Sequence, residues 1–351
     1  MRVVVARQGA LEVVDAPAVS AGPGQVLVAN RACGICGSDL HTLQQPDAMT
    51  AMAEALGVES GTDPHGDIHL GHEYCGEVLE LGPGVRAAVA PGDLTVAMPF
   101  LFSAPSGMEP LGFSNSVPGG YGEHMLLEAS LCLPVPNGLD AARASCTEPM
   151  AIGLHAVNRS RIQPGESALV VGCGPVGLAC IAWLKQRGIG PVVASDFSAG
   201  RRALARAMGA DEVVDPRHEP AIEAWKRVAG GRPLVTFEAV GVPGMVEAAM
   251  HDAPARSRIL VVGLCMEPDH FKPMVGVVKE LTIDFSVFYD GDEFASTLRA
   301  IAEGEIDVSP LLTGRVGLDG VAGAFAELAD PEAHCKIVVD PSLPGPQLVR
   351  L

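Results

Sequence analysis

Near the start of the chain, Cys33-Gly34-Ile35-Cys36-Gly37-Ser38-Asp39-Leu40-His41 gathers thiol, hydroxyl, carboxylate and imidazole groups into one short stretch. Gly71-His72-Glu73 and Cys146-Thr147-Glu148-Pro149 follow further along. A catalytic zinc takes three protein ligands of N, S or O type and keeps a fourth position open. Cys36, His72 and Glu148 would supply one ligand of each kind. Cys33-x-x-Cys36 alone also fits half a structural zinc site or a redox pair, although no second C-x-x-C exists and no thioredoxin-like context surrounds it. His65 and His69 read as solvated histidines of a polar insertion. Cys75, Cys132, Cys173, Cys180, Cys265 and Cys335 read as small hydrophobes in or beside apolar runs.

A second chemistry starts at Leu169-Val170-Val171, which leads into Gly172-Cys173-Gly174-Pro175-Val176-Gly177 and then an apolar helical run. This is G-x-G-x-x-G between a strand and a helix, the context a dinucleotide fold requires. Gly172 allows the tight turn, Gly174 a close approach of backbone to pyrophosphate, and Gly177 helix–strand packing. The next strand ends at Asp196, about 20 residues on, where a carboxylate accepts from both ribose hydroxyls and repels a 2′-phosphate. Arg201 and Arg202 stand close by, and an arginine there can accommodate that phosphate. The expectation is NAD over NADP.

Two kinds of element must position these groups. Before about residue 150, short β runs at 2–6, 11–15, 25–31, 76–81, 94–98 and 123–127 are separated by Gly/Pro punctuation, with a short helix expected over 49–56. After about residue 165, apolar runs at 168–171, 192–195, 212–214, 235–239, 259–262 and 281–285 alternate with helical patterns such as 201–208 and 221–228. That alternation predicts an α/β fold with a doubly wound parallel sheet. Helices over 293–302 and 321–329 and a strand over 335–339 follow.

Composition narrows the function classes. The chain has 351 residues, 48% hydrophobic and 19% charged, enough to bury a core and too apolar for disorder. A net charge of −18 with no basic run disfavours nucleic acid and anionic membrane as partners. The uncharged stretch 168–184 is slightly short for a bilayer and holds Pro175, so a strand, turn and helix explain it better. Nine cysteines without framework spacing, and an N-terminal apolar stretch too short for a signal peptide, point to the cytoplasm.

These motifs together resemble the zinc-dependent alcohol dehydrogenases of the medium-chain dehydrogenase/reductase superfamily, the sorbitol and secondary-alcohol branch in particular. Phe237-Glu238-Ala239-Val240-Gly241, Lys279-Glu280-Leu281-Thr282 and Ile306-Asp307-Val308-Ser309-Pro310-Leu311 extend the resemblance over nearly the whole chain. It implies a GroES-like β-rich catalytic domain from 1–153 and 290–351, with a Rossmann NAD-binding domain of 154–289 inserted. It implies Cys36, His72 and Glu148 as zinc ligands and Glu73 as a near-ligand. Ser38 would relay the substrate proton, His41 would pass it to solvent, and Asp39 would orient the His72 ring. The lobe that often carries a structural zinc falls near 98–120, where no cysteine occurs, so one catalytic zinc is expected. The implied reaction is reversible oxidation of a primary or secondary alcohol, or a polyol, by hydride transfer to NAD, in a homodimer or homotetramer. Rival readings are a zinc-free quinone or enoyl reductase and a non-catalytic binding protein on the same fold. Phe100, Leu101 and Phe288 are candidates for the cleft wall, and the runs 259–262 and 281–285 for subunit pairing.

Overall fold

The computed structural model describes residues 1–48, 51, 62–104 and 107–351. Apart from Ala51, the helix expected over 49–56 lies outside the described residues. The β-rich part is built on strand Gln25–Gly34, which is buried along nearly its whole length because it is covered on both faces. It pairs antiparallel with Glu73–Leu81, His124–Glu128 and, from the far end of the chain, Lys336–Val339. The C-terminal strand therefore completes the first sheet. A smaller sheet, Ala10–Asp15, Arg2–Arg7, Ile68–Leu70 and Phe113–Ser114, carries the chain up to His72.

Register in the larger sheet fixes the chemistry. Gly34 pairs with Glu73 on one side and with Val338 on the other, so Glu73 and Lys336 meet across a residue that has no side chain. A Cβ on Gly34 would lie 2.1 Å from Glu73 Oε2 and 3.1 Å from Lys336 Cδ. Glycine is required there by space, since its φ is ordinary.

The second half forms a six-stranded parallel sheet. Its order is Glu212–Val214, Val192–Ser195, Ser167–Val171, Leu234–Glu238, Arg258–Val261, Thr282–Phe285. Numbered along the chain this is 3-2-1-4-5-6, which opens a ligand crevice at the switch point beyond the ends of the first and fourth strands. The interior strands are mostly apolar and buried nearly throughout because helices cover both faces. Residues 168–184 are a strand, a turn and part of helix Pro175–Gln186. Among the described residues no helix is long and apolar enough to cross a membrane. Helix Thr147–Ser160 joins the two halves: it packs on Pro175–Gln186 and Gly291–Ala302, and Trp183 Nε1 donates to the Met150 carbonyl at 2.9 Å.

Four expectations change. Leu101 points into the core and does not line a cleft. The run 259–262 lies mostly in an interior strand with both edges used, so of the two candidate runs Thr282–Phe285 alone is an edge strand among the described residues. His69 is half-buried on strand Ile68–Leu70, opposite Val5 and Ser114, and is no solvated loop residue. Cys265 is half-exposed, while its eight counterparts are buried or, for Cys36, half-buried at the site.

Candidate metal centre and cofactor cleft

Cys36 sits between the spine strand and helix Gly37–Gln44, at the helix N-cap. Its backbone N–H donates to Asp39 Oδ2 at 2.9 Å, which fixes the turn. Asp39 is fully buried, and Oδ2 also accepts from the Tyr121 hydroxyl at 2.6 Å. Its other oxygen, Oδ1, faces His72 Nδ1 at 3.4 Å. A carboxylate behind an imidazole in this way aims the remaining nitrogen, Nε2, at whatever the histidine serves. Ser38 Oγ lies 3.4 Å from that Nε2. The Phe113 ring packs on His72 at 4.9 Å between centroids.

One donor atom each from Cys36, His72 and Glu73 lie within 4.8 Å of one another. Glu148 is outside that set among the described residues, although its charge acts on His72 and Glu73. The sequence-based choice of third ligand therefore differs from the trio that the fold brings closest. Zinc forms bonds of about 2.0–2.3 Å to S, N and O donors, so small side-chain movements would close Cys36, His72 and Glu73 around one ion.

Electrostatics favour a cation at this point. Burial lowers the pKa of His72, but Asp39 and the Cys36 thiolate outweigh it and push the pKa well up. Burial, with Glu73 nearby, pushes Glu148 up to about 7 against the relief that His72 provides. The buried hydroxyl of Tyr289 faces the same carboxylate. Glu73 is held from behind, where Lys336 Nζ lies 2.6 Å from both carboxylate oxygens and 3.1 Å from the Ile35 carbonyl. Burial opposes the charge on Lys336; Glu73 and Cys36 more than reverse this, and its pKa is raised. Sequence reasoning missed this residue. Its only signal was one charge inside the apolar run 335–339.

The glycine turn fits a dinucleotide. Gly172 has φ +93°, and a Cβ there would meet the Ala239 carbonyl at 2.8 Å. A Cβ on Gly177 would lie 2.0 Å from the Gly172 carbonyl oxygen, whereas one on Gly174 would meet nothing within 4 Å. Gly174, Pro175 and Val176 are half-exposed at the helix N-terminus, where backbone N–H groups and the helix dipole favour a pyrophosphate. A division of labour follows. Gly174→Val should cost no more than about 1 kcal/mol of stability, the scale of a changed N-cap, and lose cofactor affinity, while Gly177→Ala should lower the melting temperature much further. Thermal melts with and without NADH check both; equal melting losses in the two variants would contradict this.

Asp196 Oδ2 accepts from Cys173 N–H and Oδ1 from Ser198 N–H, both at 2.8 Å, so the carboxylate braces the glycine turn. Arg202 donates to the Asp196 and Phe197 carbonyls at 2.8 Å and pairs with Asp215. Arg201 turns toward Cys173 and Cys335, its Nε buried without a hydrogen bond. His41 is half-buried one helical turn beyond Ser38. Phe100 contacts Phe288 edge-on at 6.4 Å, a junction between the β-rich part and the segment after the last parallel strand.

A thiolate–imidazole–carboxylate cluster beside a doubly wound dinucleotide sheet defines a metal-dependent dehydrogenase. The family profile "Alcohol dehydrogenase GroES-like domain" matches residues 22–137, and "Zinc-binding dehydrogenase" matches 175–303. The chain is 30% identical to (R,R)-butanediol dehydrogenase of Bacillus subtilis (strain 168), over 91% of this chain and 93% of that one. It is 28% identical to sorbitol dehydrogenase of Gallus gallus, over 93% and 92%. The crystal structure of 2R,3R-butanediol dehydrogenase from Bacillus subtilis superposes with a TM-score of 0.82 at 28% identity, covering 97% and 99%. The chain belongs to the zinc-type alcohol dehydrogenases of the medium-chain dehydrogenase/reductase superfamily. It is an oxidoreductase of alcohols whose cofactors are zinc and NAD, and the zinc-free and non-catalytic readings are not favoured.

Proposed function

We propose that Cys36, His72 and Glu73 hold the zinc, that Glu148 borders its open side, and that the substrate is a short secondary alcohol or vicinal diol. The cluster of donor atoms within 4.8 Å carries this reading. When bound, zinc supplies Lewis-acid activation of the alcohol oxygen, and NAD supplies the hydride acceptor. The chain's own residues do the rest. Asp39 holds the His72 ring so that Nε2 faces the donor cluster. Ser38 Oγ accepts the substrate proton as its own hydroxyl proton moves on, and His41, one turn along the helix, passes that proton toward solvent. Gly172, Gly174, Pro175, Val176 and Gly177 cradle the pyrophosphate, Asp196 accepts from the ribose, and Arg201 stands behind the glycine turn. Lys336 pairs with both carboxylate oxygens of Glu73 behind the donor cluster.

Aromatic rings support an apolar remainder on the substrate. Phe113 lies against His72, and Phe100, stacked on Phe102 at 6.2 Å, meets Phe288 edge-on at 6.4 Å. Burying extra hydroxyls against such rings without partners is unfavourable. With NAD, butane-2,3-diol should therefore exceed sorbitol in kcat/KM by about tenfold or more. Initial rates of NADH formation check this, and a higher kcat/KM for sorbitol overturns the substrate assignment.

The catalytic unit is read as 1–153 with 290–351, and the cofactor unit as 154–289. For the assembly, the free edge of Thr282–Phe285 and the exposed Val277 and Val278 on helix Pro273–Lys279 support a homodimer or homotetramer by sheet extension. The nine free thiols support a cytoplasmic setting.

A further inference from the structure

Helix Ala199–Ala207 begins directly after the strand that delivers Asp196 to the cofactor crevice. A helix N-terminus offers unpaired N–H groups and positive partial charge, which suits an anion such as a phosphate. Here that end is filled from a distant part of the chain. Glu332, in the segment leading into strand Lys336–Val339 of the β-rich sheet, accepts from Ala199 N–H at 2.9 Å and from Gly200 N–H at 3.0 Å. Ser198, the N-cap, accepts from Arg201 N–H at 3.0 Å and donates to the Pro331 carbonyl at 3.1 Å. The first three helical N–H groups are thus all satisfied without a ligand. The two N–H bonds and Ser198 lower the Glu332 pKa, so it stays ionised near neutral pH.

Asp196 is anchored to the same turn through Ser198 N–H. Two carboxylates therefore occupy the place where an adenosine 2′-phosphate needs donors, while Arg202 and Arg217 both donate to the Phe197 carbonyl and both pair with Asp215. Arg202 and Arg217, two of the cationic groups that would welcome a phosphate, are already committed.

We propose that Glu332 is a specificity-determining residue: it occupies the phosphate-accepting end of this helix with the chain's own carboxylate and thereby excludes NADP. The proposal rests on the cofactor-binding reading above. Because Glu332 comes from the β-rich part and its target from the nucleotide sheet, the discrimination is built only when the two parts are docked.

Direct binding tests it. Fluorescence titration with NADH and NADPH gives dissociation constants for the wild-type protein, Glu332→Gln and Glu332→Ala, with no turnover required. Expected is a tightening of NADPH by about fivefold or more in both variants as one nearby negative charge is removed, with NADH changing by less than about twofold. The gain should shrink at high salt, since the carboxylate is at the surface. If NADPH affinity is unchanged, or both cofactors move in parallel, Glu332 is a clasp between the two parts and the proposal is overturned. Failure of the wild-type protein to bind NADH would instead sink the cofactor reading itself.

Discussion

Cys36→Ser is expected to lose zinc and to lower turnover by about a thousandfold or more, the scale of the Lewis-acid contribution. Its interest lies in what it should leave intact. Cys36 is the N-cap of helix Gly37–Gln44, a position that serine favours by intrinsic preference. The hydrogen bond that fixes this turn runs from the backbone N–H to Asp39, and substitution does not touch it. Serine should therefore cap the helix at least as well, and the metal-free proteins should unfold within about 1 kcal/mol of each other. A position where the better helix former is absent and the soft ligand present serves chemistry. Metal analysis, circular dichroism and NADH formation on one preparation check the three parts; a variant that keeps zinc and turnover would remove Cys36 from the ligand set.

Lys336→Met is expected to destabilise the fold by about 3–5 kcal/mol, because it leaves the Glu73 carboxylate buried without its counter-ion. Both side chains are almost inaccessible, at 2% and 1%. The double variant Lys336→Met with Glu73→Gln should recover most of that loss, since the buried unpaired charge, more than the missing contact, carries the penalty. The two effects differ at the metal. The double variant also removes a donor from the cluster, so regained stability should come without regained turnover. Urea unfolding of the two single variants and the double closes the cycle. A single-variant loss below about 1 kcal/mol would contradict the role given to the pair.

The contrast between these residues explains what could be read from sequence. The glycine turn was legible because its strand, loop and helix are contiguous, and each glycine answers a local steric demand. Cys36, Ser38, Asp39 and His41 were legible for the same reason, lying on one turn and one helix. Lys336 was not: it stands 263 residues from Glu73, and only strand register across Gly34 joins them. Tyr121 reaches Asp39 across 82 residues in the same way. Glu332 gave no local signal either, because the helix end it fills is built by another part of the chain.

Element reading failed where elements are short or evenly buried. Strands Ile68–Leu70 and Phe113–Ser114 have three and two residues, too few for an alternating pattern, yet they frame His72. Helix Thr147–Ser160 is buried on most of its surface and carries Glu148-Pro149 in its first turn, so no clean amphipathic stripe marks it. The choice between Glu73 and Glu148 has the same origin. Both are acidic residues beside a candidate ligand, and only three-dimensional separation ranks them.

Zinc content of the purified wild-type chain, measured alongside NADH formation from butane-2,3-diol, tests the central claim most directly. Expected are about one zinc per chain, turnover that falls in proportion as a chelator removes it, and recovery when zinc is returned. Full turnover from metal-free protein would contradict it.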